Sequence, residues 1–597
     1  MKIRVADYIA QRLQDWGVST VYMLTGGGMM HLVDSIGRST NLRAICNHHE
    51  QCSAIAADAE ARFSGQIGVC YATSGPGATN ILTGLLGAWQ DSSSVLFFTG
   101  QSKFSQTIKG SGIQGLRQFG TFEVDIVPIV ESVTKYAEMV TDPKMIRYHL
   151  EKSFHLATTG RPGPVLLDLP LDIQGAFVET DDLEGYISNE AVLIPASSEL
   201  FKVVEILSNS KRPLIIAGAG IRAAGAVEIF RRLVEHMNVP IVTSQLGKDV
   251  LFYEHPLFVG HSGPKGDRAG NFAVQTADVI LSLGCSLHSQ TTGWENSLFA
   301  PDAIKIQIDI DEAVLAREQL NVDVKLKADV VEFMLSLEPL IGYGYANDKW
   351  RSICRSWKER YAVNLELHDR SSEAVNYYDF AEALSCALEG HETIVTDAGS
   401  AFYAMGQGFR VKENQRFISS GSLGAMGFAV PAANGVASIN KFPTICVTGD
   451  GSLMTNIHEL AVTTEYKLNV KFFVLNNDGY LSIRNTQRDF FNGMYVGTGP
   501  KSGVFIPDLE SQAKTYRIPY IHCDRLANLR SSIDEALAAE GPVFVEINAM
   551  HDQRMIPSVM SEKLSDGRMQ SKPLHEMYPY LSKSDLEIEL NQARDTN

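Results

Sequence analysis

The chain has 597 residues, 45% hydrophobic and 20% charged, the make-up of a globular protein too long for one core, so three domains are expected. A net charge of −17, from 52 basic and 69 acidic residues, argues against nucleic acid or an anionic membrane surface as partner. The eight cysteines form no Cys-x-x-Cys pair, which fits a reduced, cytoplasmic protein and gives no thiolate metal site.

The opening MKIRVADYIAQRLQDWG reads as an amphipathic helix with charges throughout, neither a signal peptide nor a membrane span. Strands and helices then alternate to about residue 178. Val21–Leu24 runs into Thr25-Gly26-Gly27-Gly28. Leu42–Ile45 leads to Asn47-His48-His49-Glu50, followed by a helix of mostly Ala and Ser. Val69–Ala72 meets Thr73-Ser74-Gly75-Pro76-Gly77, with Asn80 beyond, and Val95–Phe98 ends in Thr99-Gly100-Gln101. Strand ends that repeatedly open into glycine-rich turns indicate a doubly wound α/β sheet. A linker of acidic and small residues, 179–198, precedes a second α/β unit at 195–340. That unit carries Gly218-Ala219-Gly220 after a strand, a weak signal on its own. Residues 341–375 read as a linker helix region. A third unit, 375–550, contains Asp397-Ala398-Gly399-Ser400 after a strand and Gly424-Ala425-Met426-Gly427. A polar tail covers 551–597, in which Pro573–Met577 docks or closes over a ligand entrance and the last dozen residues are disordered.

The third unit holds the most specific segment, Gly449 to Asn477. An apolar strand, Thr444–Val447, enters the turn Gly449-Asp450-Gly451-Ser452. Helical spacing then puts Leu453, Ile457, Leu460, Ala461 and Thr464 on one face, and a second strand, Val470–Leu475, ends at Asn476-Asn477. A parallel β-turn-α-β unit brings both strand ends to one sheet edge, so Asp450 and Asn477, 27 positions apart by subtraction, converge. One carboxylate, one amide and nearby carbonyls form a magnesium set that leaves room for phosphate oxygens. The glycines allow close backbone approach, and the helix start after Ser452 offers free N–H groups to an anion.

This segment resembles the cofactor motif of thiamine diphosphate enzymes. NHHEQCSAIAADAEARFSG followed by ATSGPGATNILTGLLGAWQDSSSVLFFTGQ is similar to the pyrimidine-binding domain of the acetohydroxyacid synthase (acetolactate synthase) group. The resemblance implies three doubly wound parallel-sheet domains: pyrimidine-binding (1–178), central (195–340) and diphosphate-binding (375–550). By position Glu50 is a helix N-terminal carboxylate of the ordinary kind; by resemblance it is the carboxylate that activates the aminopyrimidine. Thr73, Pro76 and Asn80 would lie beside that ring and Gly27 and Gly28 near the thiazolium. Met426 would be the apolar wedge under the cofactor. Ala398, Gly399, Ser400, Gly424, Ala425, Gly451, Ser452 and Tyr480 would line the cofactor. Asp450, Asn477 and the Gly479 carbonyl would hold Mg2+.

Gly27, Gly28, His49, Phe122 and Arg484 are the expected substrate contacts, although His49 and Arg484 could equally be structural. Two departures bear on substrate. Phe122 stands where the group has a glutamine, and 479–495 contains no tryptophan, whereas GYLSIRNTQ is similar to superfamily members that act on specialised sugars. The central domain of the group holds FAD, yet Gly284–Gly293 lacks the arginine and both aspartates of the corresponding segment. Flavin binding and a purely structural central domain are both left open. The expected function is a thiamine diphosphate- and Mg2+-dependent decarboxylase/carboligase of a 2-oxoacid, pyruvate first. The alternatives are acyl transfer to a nucleotide-linked ketosugar or aldehyde, and a non-catalytic regulatory homologue. The resemblance also implies a homodimer, or homotetramer, with the site between the first domain of one subunit and the third of another.

Overall fold

A computed structural model describes residues 1–597 apart from 189–190, 371–372, 564–565 and 596–597. Three six-stranded parallel sheets carry the chain, as the doubly wound reading predicts. The first contains β1 (Thr20–Met23), β2 (Arg43–Cys46), β3 (Gly68–Ala72), β4 (Val95–Gln101), β5 (Tyr136–Met139) and β6 (Val165–Pro170), in the order β2-β1-β3-β4-β6-β5. The second contains β7 (Pro213–Ala217), β8 (Ile241–Thr243), β9 (Phe258–His261), β10 (Val279–Leu283), β11 (Ile304–Asp309) and β12 (Val324–Lys327), in the order β9-β8-β7-β10-β11-β12. The third contains β13 (Thr393–Thr396), β14 (Arg416–Ser419), β15 (Thr444–Gly449), β16 (Val470–Asn476), β17 (Tyr520–Cys523) and β18 (Val543–Asn548), in the order β14-β13-β15-β16-β18-β17. The first and third sheets therefore share one strand order. Each has a switch point, between β1 and β3 and between β13 and β15, where chain direction across the sheet reverses and a crevice opens at the strand ends.

The strands are apolar on both faces because helices cover both. Val543–Val545 and Val470–Leu475 are buried throughout, as a parallel sheet requires. Four helices frame the domain contacts: α1 (Glu50–Ser64), α2 (Asp348–Arg360), α3 (Ala429–Ala437) and α4 (Lys583–Arg594). α1 and α3 are built mostly from small residues and pack tightly; a Cβ on Gly435 would come 2.3 Å from the Ala56 carbonyl oxygen. Ile55 and Ala59 of α1 accordingly belong to the core of the third domain. Among the described residues no helix is long and apolar enough to cross a membrane.

Three local expectations change. The N-terminal helix begins at Val5, because Lys2–Arg4 is taken as a strand antiparallel to Phe177–Glu179. The helix expected over 453–464 is broken. It starts at Asp450, stops after Leu453, and resumes as a 3-10 turn at Ile457–Glu459 and a helix at Leu460–Glu465, burying Leu453, Leu460, Val462 and Thr463. The last dozen residues are not disordered as expected: α4 runs to Arg594, while residues 596 and 597 lie outside the described residues. Buried Glu589 on α4 accepts from Trp357 Nε1 at 2.8 Å, from Arg360 at 2.5 and 2.7 Å and from Tyr361 at 2.9 Å, which fixes the helix to α2. Leu574 and Met577 enter the core of the central domain, so Pro573–Met577 docks there.

Candidate active site

The third domain's switch point collects the acidic and amide oxygens. β15 and β16 pair in parallel with Gly449 opposite Leu475, so Asp450 and Asn477 emerge side by side. Asp450 is fully buried. Its carboxylate accepts from Gly479 N at 2.8 Å and Gly451 N at 2.9 Å, and among the described residues it has no basic partner. Burial pushes this carboxyl up to about 7, opposed by those two N–H donations. Asn477 is held by its amide nitrogen, which donates to Tyr377 Oη at 2.5 Å, leaving Oδ1 buried with no hydrogen-bond partner. A buried carboxylate without a cation and an orphaned amide oxygen beside it are what a divalent cation would satisfy. Gly479, at φ +128°, makes the turn that brings its N–H to Asp450.

The adjacent loop after β13 supplies the other wall. Gly399 adopts φ +68° and starts a helix, and the Ser400 hydroxyl is buried without a partner. Cβ atoms built on Gly424 or Gly449 would meet nothing within 4 Å, so open space lies along this edge. Tyr480, in contrast, closes on Gly451, where an added Cβ would sit 2.5 Å from its ring. Met426 projects from the turn between Gly424 (φ +70°) and Gly427 (φ +75°) and is 44% exposed, unusual for a residue of its apolarity. Ser420 Oγ accepts from Ala425 N at 2.9 Å and Ser452 Oγ accepts from Gly427 N at 2.8 Å, fixing that turn.

The structure adds Asp397, which the sequence reading left out. It is buried and accepts from Ala398 N (3.0 Å), Phe428 N (3.2 Å) and Thr448 Oγ1 (2.7 Å), tying two loops of the site to the end of β15. Its position at a strand end immediately before Ala398 was the available signal.

The first domain's switch point mirrors this arrangement. Gly28 N donates to Thr73 Oγ1 at 3.1 Å, joining the loops after β1 and β3, and an added Cβ on Gly27 would meet nothing within 4 Å. Glu50 is the first residue of α1 and is 6% exposed. Asn80 donates to Glu50 Oε2 at 2.9 Å, while Oε1 stands 3.2 Å from where a Cβ of Gly77 would be. Pro76 opens the short helix that carries Asn80. His49 caps α1, with Nδ1 accepting from Gln51 N at 3.1 Å.

Phe122 is 70% exposed at φ +57°, and its carbonyl lies against Gly75. Glu123 beside it is buried and accepts from Ile108 N, from Phe119 N (2.9 Å) and from Gly120 N (3.1 Å), so it organises the 104–120 loop. Arg484 is buried, and its guanidinium donates to the carbonyls of Asn477 (3.2 and 3.3 Å), Asp478 (3.1 Å), Thr498 (3.1 Å) and His551, so it braces the loop behind Asn477.

Among the described residues, no hydrogen bond or ion pair within the chain joins Glu50 or Asn80 to Met426, Asp450 or Asn477. Links between the two domains include α1 on α3, Glu459, which accepts from Asn47 Nδ2 and His48 N at 2.8 Å each, and Arg416, which donates to the carbonyls of Arg62 (2.7 Å) and Phe63 (2.8 Å). In the central domain, Gly218 N donates to Leu283 O (3.0 Å) and Gly220 N to Gly284 O (2.9 Å). Those two N–H groups are spent on the neighbouring strand end.

Comparison with known proteins agrees with this architecture. The thiamine pyrophosphate enzyme N-terminal TPP binding domain matches residues 3–120, the central domain 200–337 and the C-terminal TPP binding domain 397–547. Relatives include the "Probable acetolactate synthase large subunit" of Methanocaldococcus jannaschii, 31% identical over 91% of each chain. Acetolactate synthase 1, chloroplastic, of Zea mays is 31% identical over 93% of this chain and 87% of its own. Acetolactate synthase isozyme 1 large subunit of Escherichia coli is 27% identical over 93% and 95%. With its two glycine-lined switch points, the second lying in the C-terminal TPP binding domain, this chain belongs to the thiamine pyrophosphate enzymes, in the group of the acetolactate synthase large subunits.

Proposed function

We propose that this enzyme decarboxylates a 2-oxoacid, pyruvate first, and joins the acyl unit to a second carbonyl compound, with Mg2+ as its metal. The observation that carries this reading is the uncompensated pair at the third domain's switch point, the Asp450 carboxylate and the orphaned Asn477 Oδ1. Thiamine diphosphate, when bound, supplies the nucleophilic carbon and the electron sink for decarboxylation. The chain supplies the rest. Asp450, Asn477 Oδ1 and the Gly479 carbonyl are the oxygen ligands for the metal. The Ser400 hydroxyl and the N–H groups of Gly399 and Ser400 would face the phosphates, where an anion is favoured at a helix start. Met426 presents an unbranched, polarizable apolar wedge. Glu50 holds and releases a proton at Oε1 while Asn80 keeps Oε2 in place, and burial keeps water from that exchange.

Glu50 of one subunit is read as facing the Asp450 site of a second copy, which makes a homodimer the minimum assembly. Supporting this, the chain leaves Ile483, Phe490, Phe491, Met494, Val496 and Phe505 exposed beyond Asn477, apolar surface of the kind that interfaces cover. Flavin is not part of the proposal.

The acceptor has a second reading. Phe122 offers an exposed ring where an amide would orient a second 2-oxoacid, and no tryptophan follows in 479–495, which favours an aldehyde or ketosugar acceptor. Incubation with pyruvate, thiamine diphosphate and Mg2+, with product identification, tests both. Acetolactate from pyruvate alone supports the synthase reading. Coupled product only when an aldehyde or nucleotide-linked ketosugar is added supports the second. Pyruvate left unconsumed in every mixture would contradict the proposal and favour a non-catalytic homologue.

A further inference from the structure

The sequence spacing gives no thiolate metal site, yet the fold assembles a mixed one from both terminal domains. Cys52 lies on the first turn of α1, and His458 and Glu459 lie on the 3-10 turn at Ile457–Glu459, 406 positions away by subtraction. Cys52 Sγ is 3.7 Å from His458 Nε2, which is 3.7 Å from Glu459 Oε1, and one ligand atom from each residue falls within 4.8 Å of the others. A tetrahedral zinc-type ion, with its bonds of about 2.0–2.3 Å, would separate a sulfur and a nitrogen ligand by about 3.6 Å and a nitrogen and an oxygen ligand by about 3.3 Å. The spacing is therefore already close to that of a coordinated set.

Cys52 and Glu459 are fully buried, and the His458 side chain is about one-third exposed, so it forms the mouth of the cluster. Glu459 is oriented from behind by Asn47 Nδ2 and His48 N, each at 2.8 Å, the kind of outer support that metal-ligating carboxylates have. A carboxylate oxygen keeps a further lone pair after one such bond. The His49 ring lies 6.1 Å from that of His458.

We infer that Cys52, His458 and Glu459 bind one zinc-class divalent cation per chain, clamping the start of α1, and so the helix that carries Glu50, to the C-terminal TPP binding domain. Binding replaces the S–H bond of Cys52 with a sulfur–metal bond and releases that proton to solvent, and no electron is transferred. The fourth position faces the exposed side beside His458 and takes water. This site is distinct from the oxygen-only set at Asp450 and does not depend on the reaction proposed above.

The test uses Co2+ as the probe, titrated into the holoenzyme with excess Mg2+ to occupy oxygen-only sites. The expected result is sulfur-to-cobalt charge-transfer absorption that saturates at one equivalent per chain and is displaced by Zn2+. Cys52→Ser should abolish that band. His458→Gln, a change at the exposed mouth that leaves the core intact, should weaken cobalt binding by roughly tenfold or more. If Cys52→Ser does not fold, His458→Gln decides. Absence of the band from the wild type, or a cobalt affinity in His458→Gln equal to that of the wild type, would overturn the inference.

Discussion

Asn80 and Glu50 show how one amide can prepare a carboxylate. The 2.9 Å hydrogen bond to Oε2 fixes the rotamer, and the lack of a side chain at Gly77 leaves Oε1 its space. Asn80→Ala should therefore lower kcat more than it raises the cofactor Kd, because it releases Oε2 and lets Oε1 wander. A roughly tenfold loss in steady-state pyruvate consumption is expected, with cofactor binding measured alongside. At the other switch point, Asn477→Ala removes the orphaned Oδ1 and frees the Tyr377 hydroxyl. Half-saturation by Mg2+ should rise at least tenfold while the far-ultraviolet circular dichroism stays that of the wild type. The strand-end turns of both switch points were legible from the sequence because turn glycines and strand ends are local signals. The contacts of Asp397 and Arg484 were not, since what each does depends on which groups fold around it: two loops and a strand end meet at one, four carbonyls at the other.

Among the elements, the contact of α1 with α3 holds a titratable core. Buried Glu60 on α1 accepts from Tyr22 Oη at 2.5 Å, and that hydroxyl also lies 3.0 Å from the Gly435 carbonyl oxygen on α3. Burial pushes the Glu60 carboxyl up from 4.5 to about 7, the Tyr22 hydrogen bond opposing it. A carboxyl raised in the folded state contributes stability that is complete below its unfolded value and lost as pH climbs through the folded one. Between pH 5 and pH 8 the wild type should therefore lose about 2–3 kcal/mol from this group, and Glu60→Gln should not. Thermal melts of both proteins at the two pH values check this: the gap between them should shift in favour of the variant at pH 8.

The C-terminal α4 gives a second test. Glu589→Ala strands the Trp357 indole N–H and Arg360, and should cost about 1–3 kcal/mol and alter Trp357 fluorescence. The polar composition of the tail suggests disorder, but one buried carboxylate with four donor contacts outweighs that polarity. The broken helix after Asp450 escapes sequence reading for a related reason: periodic apolar residues mark a face, not the interruption that lets Asn456 donate to the Gly427 carbonyl at 2.9 Å.

For the whole molecule, the shared strand order of the first and third sheets explains why one chain carries two half-sites of the same build. Glycine-rich turns after successive apolar strands made both domains readable in sequence. What joins them could not be read there, because α1 on α3 and the Cys52–His458–Glu459 cluster connect residues several hundred positions apart. If the half-sites of two subunits complete each other, mixing Glu50→Gln with Asp450→Asn chains should restore activity. Each mixed dimer then has one intact site and one with both changes. Activity recovered after subunit exchange supports the shared site, and none recovered would place both half-sites in one chain.

Glu50, as the proton-holding group of a 2-oxoacid-decarboxylating enzyme, is the residue on which the proposed chemistry depends most. Carbon dioxide release from pyruvate, at saturating thiamine diphosphate and Mg2+, should fall by roughly 10²–10⁴-fold in Glu50→Gln while cofactor binding changes little. Equal rates of release from the two proteins would contradict that role.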